Sequence, residues 1–330
     1  MIDKAASRCF VAGHRGLVGS AMVRALSRAG YPSPIVRTRS ELDLMDQRAV
    51  ARFFREERPD IVFLAAAKVG GIRANDTYRW DFLYENLVIQ TNILGSAIDT
   101  GVDRVVFFGS SCIYPRLADQ PIKEEYLLTG PLEHTNEPYA IAKIAGVKLV
   151  DAANSQLGRK WISLMPTNLY GPNDNFDLEK SHVLPALIRK FHDAKEARES
   201  GRSASVVLWG HGTARREFLH VDDAAEAALL MMESGATGLY NVGSGSDLPI
   251  RELAAIVARV VGYDGPVEWD TSKPDGTPRK LMDSSRIRQK GWSPRISLED
   301  GIRSTYAWYC SHRDTEGLRP RGVETQRVAV

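Results

Sequence analysis

Tyr139 and Lys143 stand four residues apart in the segment NEPYAIAKIAG. On a helix this spacing places both side chains on one face. An ammonium group beside a phenol favours the phenolate and lowers the phenol pKa, so the tyrosine can exchange a proton with a carbonyl oxygen near neutral pH. Because this spacing also occurs by chance on many helices, the pair alone does not establish a catalytic site.

The segment VVFFGSSCIYP supplies further polar groups. Its apolar residues predict a strand, and Ser110, Ser111 and Cys112 follow at its carboxyl end. Open α/β sheets build their sites at this edge. Since a serine there can share the carbonyl oxygen with Tyr139, the sequence predicts acid–base catalysis at a keto group by Ser110, Tyr139 and Lys143.

Three glycines with a spacing suited to a phosphate lie near the N-terminus. The segment FVAGHRGLVGSAMVRAL places Gly13, Gly16 and Gly19 between an apolar strand and an amphipathic helix. Backbone without side chains can turn tightly and approach a pyrophosphate, which the N–H groups of the helix start stabilise. This context favours a dinucleotide site; the alternative is a tight turn whose glycines serve packing only.

The dinucleotide is chosen by the residues after the second predicted strand. Arg37 and Arg39 lie there, and Arg15 of the glycine turn can converge on them. NAD sites usually hold an acidic side chain for the ribose 2′-hydroxyl, whereas guanidinium groups suit a 2′-phosphate. We therefore predict NADP(H); the alternatives are that the arginines are solvated and that Glu41 or Asp43 reaches the ribose.

Short apolar runs alternate with longer helical segments in the first half of the chain. This pattern predicts parallel strands covered by helices on both faces, a doubly wound Rossmann sheet of the α/β class. The predicted strands are 9–12, 35–37, 61–65 and 105–108, and the predicted helices are 17–29, 47–57, 81–100 and 138–155.

After Asn168 the pattern changes, and helices at 184–197 and 250–261 lie among irregular stretches. We predict a Rossmann domain over 1–170 to which 216–244 returns, and a smaller α/β substrate-binding domain formed by 171–215 and 245–312. Residues 313–330 are polar and without periodicity, which predicts a mobile tail. In the segment FLHVDD, His220 and Asp222 are expected to shape a helix start, with Asp222 as its N-cap.

The overall composition narrows the classes of function. The formal net charge is only +2, so no excess of basic residues points to nucleic acid. Three scattered cysteines do not form a disulfide framework, and no apolar stretch reaches the roughly 20 residues of a membrane helix. We expect a cytoplasmic protein that is not bound to membranes or nucleic acid, with no metal site.

The glycine turn, the strand-end serine and the YxxxK pair occur in the order typical of the extended short-chain dehydrogenase/reductases, which the chain resembles. From Val11 to about Tyr306 it also resembles the GDP-L-fucose synthases, in the segments GSSCIYP, NEPYAIAKIAG, MPTNLYGPNDNF, SHVLPALIRKFH, REFLHVDD and KPDGTPRKLMD. The resemblance implies a homodimer that converts GDP-4-keto-6-deoxy-D-mannose to GDP-L-fucose. It would epimerise C3 and C5 and then deliver a hydride from NADPH to C4.

The resemblance also implies roles for particular residues. Inversion at a carbon needs a base on one face and an acid on the other, which Cys112 and His182 supply in the matching family positions; the alternative for Cys112 is a small buried apolar side chain. Predicted cofactor contacts are Gly13, Arg15, Gly16, Leu17, Val18, Gly19, Arg39, Asp43, Leu44, Ala66, Ile89, Lys143, Pro166, Asn168, Leu169 and His182.

Predicted substrate contacts are Lys190, Trp209, Arg216, Asp275 and Arg279, with Arg189 in the same segment as Lys190. Cations are needed for a nucleoside diphosphate. The alternatives are solvated basic residues and, for Trp209, a role in packing.

Other functions of this fold stay open. Nucleotide-sugar 4,6-dehydratases carry an Asp-Glu pair after the strand-end Ser or Thr, whereas this chain has Ser111, Cys112 and Ile113 there, which argues against dehydration. A simple 4-epimerase of this fold usually keeps NAD tightly bound. The arginines favour NADPH that is consumed as a reductant, which argues against this activity. Another nucleotide-sugar epimerase or reductase, and a non-catalytic dinucleotide sensor, are the remaining alternatives.

Overall fold

A five-stranded parallel sheet forms the centre of the computed structural model, which describes residues 3–273 and 275–313. Its order is β1-β2-β3-β4-β8. These strands are β1 (Cys9–Ala12), β2 (Ile61–Leu64), β3 (Arg104–Phe108), β4 (Ile162–Pro166) and β8 (Gly238–Val242). Every neighbouring pair is parallel, so the carboxyl ends of all five strands lie at one edge.

Helices cover both faces of this sheet because both faces are apolar. In β1, Cys9 and Val11 belong to the core that faces α1 (Leu17–Arg28) and α7 (Val221–Glu233). The alternate residues Phe10 and Ala12 face the opposite core, which is formed with α2 (Gln47–Glu57), α4 (Arg79–Asp99) and α5 (Glu137–Leu157). The predicted doubly wound α/β fold is therefore confirmed.

A second group of elements packs around a third apolar core that contains Tyr170, Phe191 and Val257. One sheet has the order β11-β7-β5 with β9 antiparallel to β7, and β10 pairs with β6. The strands are β5 (Asn168–Tyr170), β6 (Val206–Trp209), β7 (Arg215–His220), β9 (Asp247–Pro249), β10 (Val267–Asp270) and β11 (Arg279–Lys280). The helices are α6 (Val183–Glu199), α8 (Ile250–Val261) and α10 (Leu298–His312), and the short α3 (Ile72–Thr77) and α9 (Ser285–Arg288) lie elsewhere.

Residues 216–244, which the sequence predicts to return to the Rossmann domain, divide between the central sheet and the second group of elements. β7 pairs with β5, β9 and β11, whereas α7 packs on the central sheet and β8 extends it. The domain boundaries themselves stay a prediction. Of the predicted tail, only Arg313 falls within the described residues.

Two local predictions were wrong. The strand expected at 35–37 is reduced to one bridge between Ile35 and Phe10; it lies at the sheet edge directly after Pro34, which has no N–H to donate to a ladder. The N-cap of α7 is His220 and not Asp222, because the His220 ring accepts from the Asp222 amide at 3.2 Å. The Asp222 carboxylate instead pairs with Arg24 at 2.6 Å.

No helix in the described part of the chain is both long and apolar enough to cross a membrane.

Candidate active site

Ser110 and Cys112 lie where the sequence predicts them, directly after β3. The chain turns into a short 3₁₀ helix, Ser111–Ile113, and the Ser110 hydroxyl oxygen accepts a hydrogen bond from the Cys112 amide at 3.3 Å. This contact holds the Ser110 hydroxyl against the Cys112 main chain at the carboxyl edge of the central sheet, the edge at which parallel α/β folds bind ligands.

Helix α5 brings Tyr139 and Lys143 to the same edge. The helix approaches β3 closely at Gly146, where an added Cβ would lie 2.2 Å from the Phe107 ring. The Tyr139 hydroxyl lies close enough to Ser110 and Cys112 for both residues to affect its pKa. The structure therefore brings Ser110 and Tyr139, which the sequence predicts to share one carbonyl oxygen, close to each other and to Cys112.

Lys143 is buried, and its Nζ donates to the main-chain carbonyl of Phe108 at 2.8 Å. The Nζ lies 4.9 Å from the centroid of the Phe107 ring and 5.8 Å from that of Tyr139. Burial lowers the pKa of Lys143 to about 7, because desolvation disfavours the ammonium form.

The expected lowering of the Tyr139 pKa does not occur in the protein alone. Burial, followed by the nearby Cys112, raises the pKa of Tyr139, and the interaction with Ser110 opposes this only in part. The burial that raises the Tyr139 pKa also reduces the charge of Lys143. Tyr139 is thus held as a phenol, the form that donates a proton.

The Cys112 thiol is half-buried and free, and it has two polar neighbours that the sequence reasoning missed. Asn136 Nδ2 lies 3.3 Å from Sγ, and Lys280 Nζ lies 4.0 Å from it. Asn136 stands three residues before Tyr139, so its proximity could have been inferred from the helix start. Lys280 is 168 residues away in the chain, and only the fold brings it to the thiol.

His182 is the N-cap residue of α6, and its main-chain carbonyl accepts from the Ala186 amide at 3.1 Å. His182 is exposed to solvent, and partial desolvation by the surrounding protein lowers the pKa of His182 below its usual value. Among the hydrogen bonds of the described residues, none joins His182 to Cys112 or Tyr139. Cys112 and His182, the two residues predicted to invert carbon centres, lie on separate elements: the 3₁₀ helix after β3 and the start of α6.

The glycine turn has the shape that a pyrophosphate requires. Gly13 has φ +86°, a left-handed conformation that favours glycine, and a Cβ there would lie 2.8 Å from the Ala66 backbone. A Cβ on Gly19 would lie 2.1 Å from the Gly13 carbonyl oxygen. Helix α1 begins after Gly16 without a side-chain cap or an acidic first turn, which leaves its first amides open for an anion. The residues present fit a dinucleotide.

The three arginines near the turn differ in their contacts. Arg37 pairs with Glu57 at 2.5 Å, whereas Arg15 and Arg39 are exposed and form no ion pair with the described residues. His14 of the glycine turn lies close enough to Arg37 for that residue to affect its pKa, so the turn and the segment with Arg39 lie near each other. Arg15 and Arg39 are therefore the available guanidinium groups.

The carboxylates near these arginines, Glu41 and Asp43, already accept hydrogen bonds from the main chain. The Glu41 carboxylate accepts from the Thr38 amide at 2.7 Å, which is the main reason that the pKa of Glu41 is lowered, with Arg15 contributing. The Asp43 carboxylate accepts from the Met45 amide at 3.0 Å.

The remaining predicted cofactor contacts come from helices α1 and α4, from strands β4 and β5 and from loops. Leu17 and Val18 form the first turn of α1. Ala66 follows β2, Pro166 ends β4, and Asn168 and Leu169 lie in β5. Asn168 Nδ2 donates to the Glu217 carbonyl at 2.8 Å, and the Leu44 carbonyl accepts from Asn92 at 2.9 Å. Ile89, on α4, is partly buried against the core.

The predicted substrate contacts lie on or beside the second group of elements. Lys190 donates to the Val207 carbonyl at 3.0 Å, and Arg216 donates to the Thr277 carbonyl at 2.5 Å; burial lowers the pKa of both. Trp209 is 42% exposed, and Lys273 Nζ lies 5.7 Å from its ring centroid.

The other two predicted contacts, Asp275 and Arg279, are each held by a partner. Asp275 accepts from the His211 amide at 2.7 Å and pairs with its ring at 2.8 Å, which lowers the pKa of Asp275. Arg279 pairs with the buried Asp247 carboxylate. Arg189 is packed inward, where it donates to the Phe176 carbonyl at 3.0 Å, so we leave it out of the candidate site.

A sequence model of the NAD dependent epimerase/dehydratase family matches residues 9–243, more than half of the chain. The chain belongs to the NAD dependent epimerase/dehydratase family. Within that family it is 54% identical over 317 residues to GDP-L-fucose synthase of Escherichia coli. The matched region covers 93% of this chain and 98% of that relative. It is 56% identical over 311 residues to GDP-L-fucose synthase 1 of Arabidopsis thaliana, covering 94% of each chain.

One solved structure that resembles this chain belongs to an enzyme with a different activity. The GDP-mannoheptose C4 reductase of Campylobacter jejuni with NADP bound superposes with a TM-score of 0.86 and 40% identity, over 94% of this chain and 100% of the reductase. The resemblance to the GDP-L-fucose synthases that the motifs carried is confirmed over nearly the whole chain.

Proposed function

We propose that this protein converts GDP-4-keto-6-deoxy-D-mannose to GDP-L-fucose by epimerisation at C3 and C5 followed by NADPH-dependent reduction of the C4 ketone. The observation that carries the proposal is the proximity of Ser110 and Cys112 to the Tyr139 phenol, at the carboxyl edge of a sheet next to an open glycine turn. Identities of 54% and 56% to GDP-L-fucose synthases over more than nine tenths of the chain support it.

One oxyanion site serves all three steps. The protons on C3 and C5 both flank the C4 carbonyl, so donors to its oxygen acidify both positions. Ser110 and the Tyr139 phenol are these donors. In the reduction, the phenol proton goes to the C4 oxygen, which is consistent with burial holding Tyr139 in the protonated form.

In the epimerisation, Cys112 is the base and His182 is the acid. The Cys112 thiolate takes the proton from carbon while the electrons of the C–H bond move to the C4 oxygen, and His182 returns a proton from the other face. His182 suits this step because its lowered pKa makes its protonated form a stronger acid.

NADP(H) is the proposed cofactor, held by the glycine turn, the amides of α1, Arg15 and Arg39. When bound, NADPH supplies the hydride that reduces C4. The guanidinium groups of Arg15 and Arg39 are exposed and form no ion pair within the described part of the chain, so they suit a ribose 2′-phosphate. Lys143 is placed behind Tyr139, where its ammonium can contact ribose hydroxyls and orient the phenol.

For the nucleoside diphosphate we propose Lys190, Trp209, Arg216, Asp275 and Arg279. Arg216 holds the loop before β11 through the Thr277 carbonyl, and Arg279 retains 45% side-chain exposure beside Asp247. Both guanidinium groups can therefore contact a phosphate without losing their structural partners.

A second candidate function is C4 reduction of a GDP-linked keto sugar without epimerisation. The 40% identity to a GDP-mannoheptose C4 reductase over its full length favours it, because such an enzyme needs Ser110, Tyr139 and Lys143 but not a base and an acid for inversion at carbon.

We further propose a cytoplasmic homodimer. Helices α4 and α5 pack side by side and leave large apolar side chains exposed, among them Trp80 at 73%, Ile141 at 44% and Leu149 at 39%. Exposed apolar patches of this kind mark interaction surfaces. Cys9, Cys112 and Cys310 are free thiols, which fits a reducing compartment.

The deciding experiment is NADPH consumption with GDP-4-keto-6-deoxy-D-mannose and identification of the product sugar by NMR. GDP-L-fucose is expected. GDP-rhamnose would show reduction without inversion and favour the second candidate. No consumption would redirect the assay to other nucleotide sugars.

A further inference from the structure

Three separate segments meet at the sulfur of Cys112. The thiol lies in the 3₁₀ helix after β3, Asn136 precedes α5, and Lys280 ends β11. Asn136 Nδ2 and Lys280 Nζ lie 3.3 Å and 4.0 Å from Sγ. Each presents a donor to the sulfur, and Lys280 also carries a positive charge.

The main chain around Lys280 is held on several sides. Lys280 pairs in register with Arg216 of β7. The next residue, Leu281, donates to the Gln120 side chain at 2.8 Å and accepts from the Ile122 amide at 2.8 Å. The Met282 amide then donates to the fully buried Glu217 carboxylate at 3.0 Å. The position of Lys280 relative to Cys112 is therefore fixed by the fold.

The charge of Lys280 has no other partner among the described residues. No carboxylate forms an ion pair with Lys280 in the parts of the chain that the structure describes. The side chain is half-buried, so solvent screens its charge less than on an open surface. A cation within about 4–6 Å of a titratable group typically favours its anionic form by one to three pKa units.

We propose that Lys280 is a positioning residue that keeps Cys112 available as a thiolate, with Asn136 as a second donor to the sulfur. This proposal rests on the proposed function, in which Cys112 is the epimerisation base. A thiol cannot accept a proton from carbon, whereas a thiolate forms an S–H bond as the C–H bond breaks. The ammonium of Lys280 stabilises the sulfur before that transfer and does not itself touch the reacting carbons.

Tyr139 of α5 is another titratable group close to Cys112. It lies in electrostatic reach of the thiol, and as a phenol it carries no charge. A phenolate would repel the thiolate. Lys280 is thus the charged group among the described neighbours that favours ionisation of Cys112.

The test is alkylation of Cys112 by the neutral reagent iodoacetamide in the NADP⁺-loaded protein, followed from pH 5 to 10 by mass spectrometry of the Cys112 peptide. A Cys310→Ser background removes the exposed thiol, and Cys9 is buried. Lys280→Met should raise the apparent pKa of alkylation by about one unit or more and slow alkylation at pH 7 roughly tenfold. Lys280→Arg should restore most of the parent profile.

Lys290→Met is the matched control, because it removes one exposed positive charge elsewhere and should leave the profile unchanged. Circular dichroism and thermal unfolding establish that each variant is folded. If the Lys280→Met and parent profiles superimpose, or Lys280→Arg behaves as Lys280→Met, Lys280 does not act through its charge. No nucleotide sugar is present in this assay, so its outcome is independent of whether GDP-L-fucose is the product.

Discussion

Lys143 donates a hydrogen bond of 2.8 Å to the main-chain carbonyl of Phe108, two residues before Ser110. This bond ties the helix that carries Tyr139 to the strand that precedes Ser110. The close contact of Gly146 with the Phe107 ring holds the two elements together one turn further along. The donors to the carbonyl oxygen therefore share one rigid frame, as preorganised electrostatic stabilisation requires.

Tyr139→Phe removes the proposed proton donor and leaves this frame intact. We expect reduction of the C4 ketone to fall by about 10²–10⁴-fold, the usual contribution of a positioned acid. The Kd for NADPH, measured by fluorescence titration, should change by less than about threefold, since the phenol oxygen is the only group lost. Reduction at the parental rate would remove Tyr139 from the mechanism.

The burial of Lys143 gives the protein a pH-dependent stability. Its pKa is lowered from the ordinary 10.5 to about 7, so between these values the unfolded chain binds more protons than the folded one. The free energy of unfolding should therefore rise with pH from about 7 to 10, and below pH 7 the full cost of burying the ammonium is present. NADP(H) is omitted from this comparison.

Lys143→Met removes that titration. We compare the free energy of unfolding of the variant with that of the parent by urea denaturation. The difference, variant minus parent, should fall by a few kcal/mol between pH 7 and 10, as expected for a pKa shift of this size. The loss of the donor to Phe108 adds an offset that does not depend on pH. A difference independent of pH would mean that folding does not lower the pKa of Lys143.

The sequence predicts the parts of this protein that depend on local pattern. Helix α1 begins at the expected Leu17, and the buried strands β1 and β2 lie where their apolar runs indicate. The predicted strand at 35–37 failed because edge pairing after Pro34 is decided by neighbours rather than by apolar character.

The electrostatics of the site were less predictable. The spacing of Tyr139 and Lys143 predicts their proximity but not their burial, and burial reverses the expected direction of the Tyr139 pKa. Lys280 reaches Cys112 only because β11 pairs with β7, a long-range contact that no local pattern encodes.

Cys112→Ser should separate the two chemistries. A serine hydroxyl keeps the size of the side chain but is a far weaker base, so exchange of the C3 and C5 protons of the substrate with solvent deuterium should fall by at least about 10²-fold. Hydride transfer to a ketone that needs no epimerisation should persist. Deuterium incorporation at the parental rate would exclude Cys112 as the base.

Replacing Arg15 and Arg39 by Gln tests the choice of dinucleotide. Each guanidinium is exposed and without an ion-pair partner among the described residues, so the substitutions should preserve the fold. We expect the Kd for NADPH to rise roughly 10–100-fold and the Kd for NADH to change little, because only NADPH carries the 2′-phosphate. Arg303→Gln removes one positive charge from α10 and serves as the control. Equal losses for both dinucleotides would contradict the assignment.

Gly19→Ala tests the glycine turn through its geometry. The added Cβ would lie 2.1 Å from the Gly13 carbonyl oxygen, which is main chain and cannot move without displacing the start of α1. Overpacking of this kind typically costs about 1–3 kcal/mol, and here it also displaces amides aimed at the pyrophosphate. Gly16→Ala is the matched variant, since its Cβ would lie 3.5 Å from the same oxygen. We expect Gly19→Ala to lower both the melting temperature and dinucleotide affinity, and Gly16→Ala to leave the melting temperature nearly unchanged. Equal melting temperatures for the two variants would show that the turn does not depend on the close approach of Gly19 to Gly13.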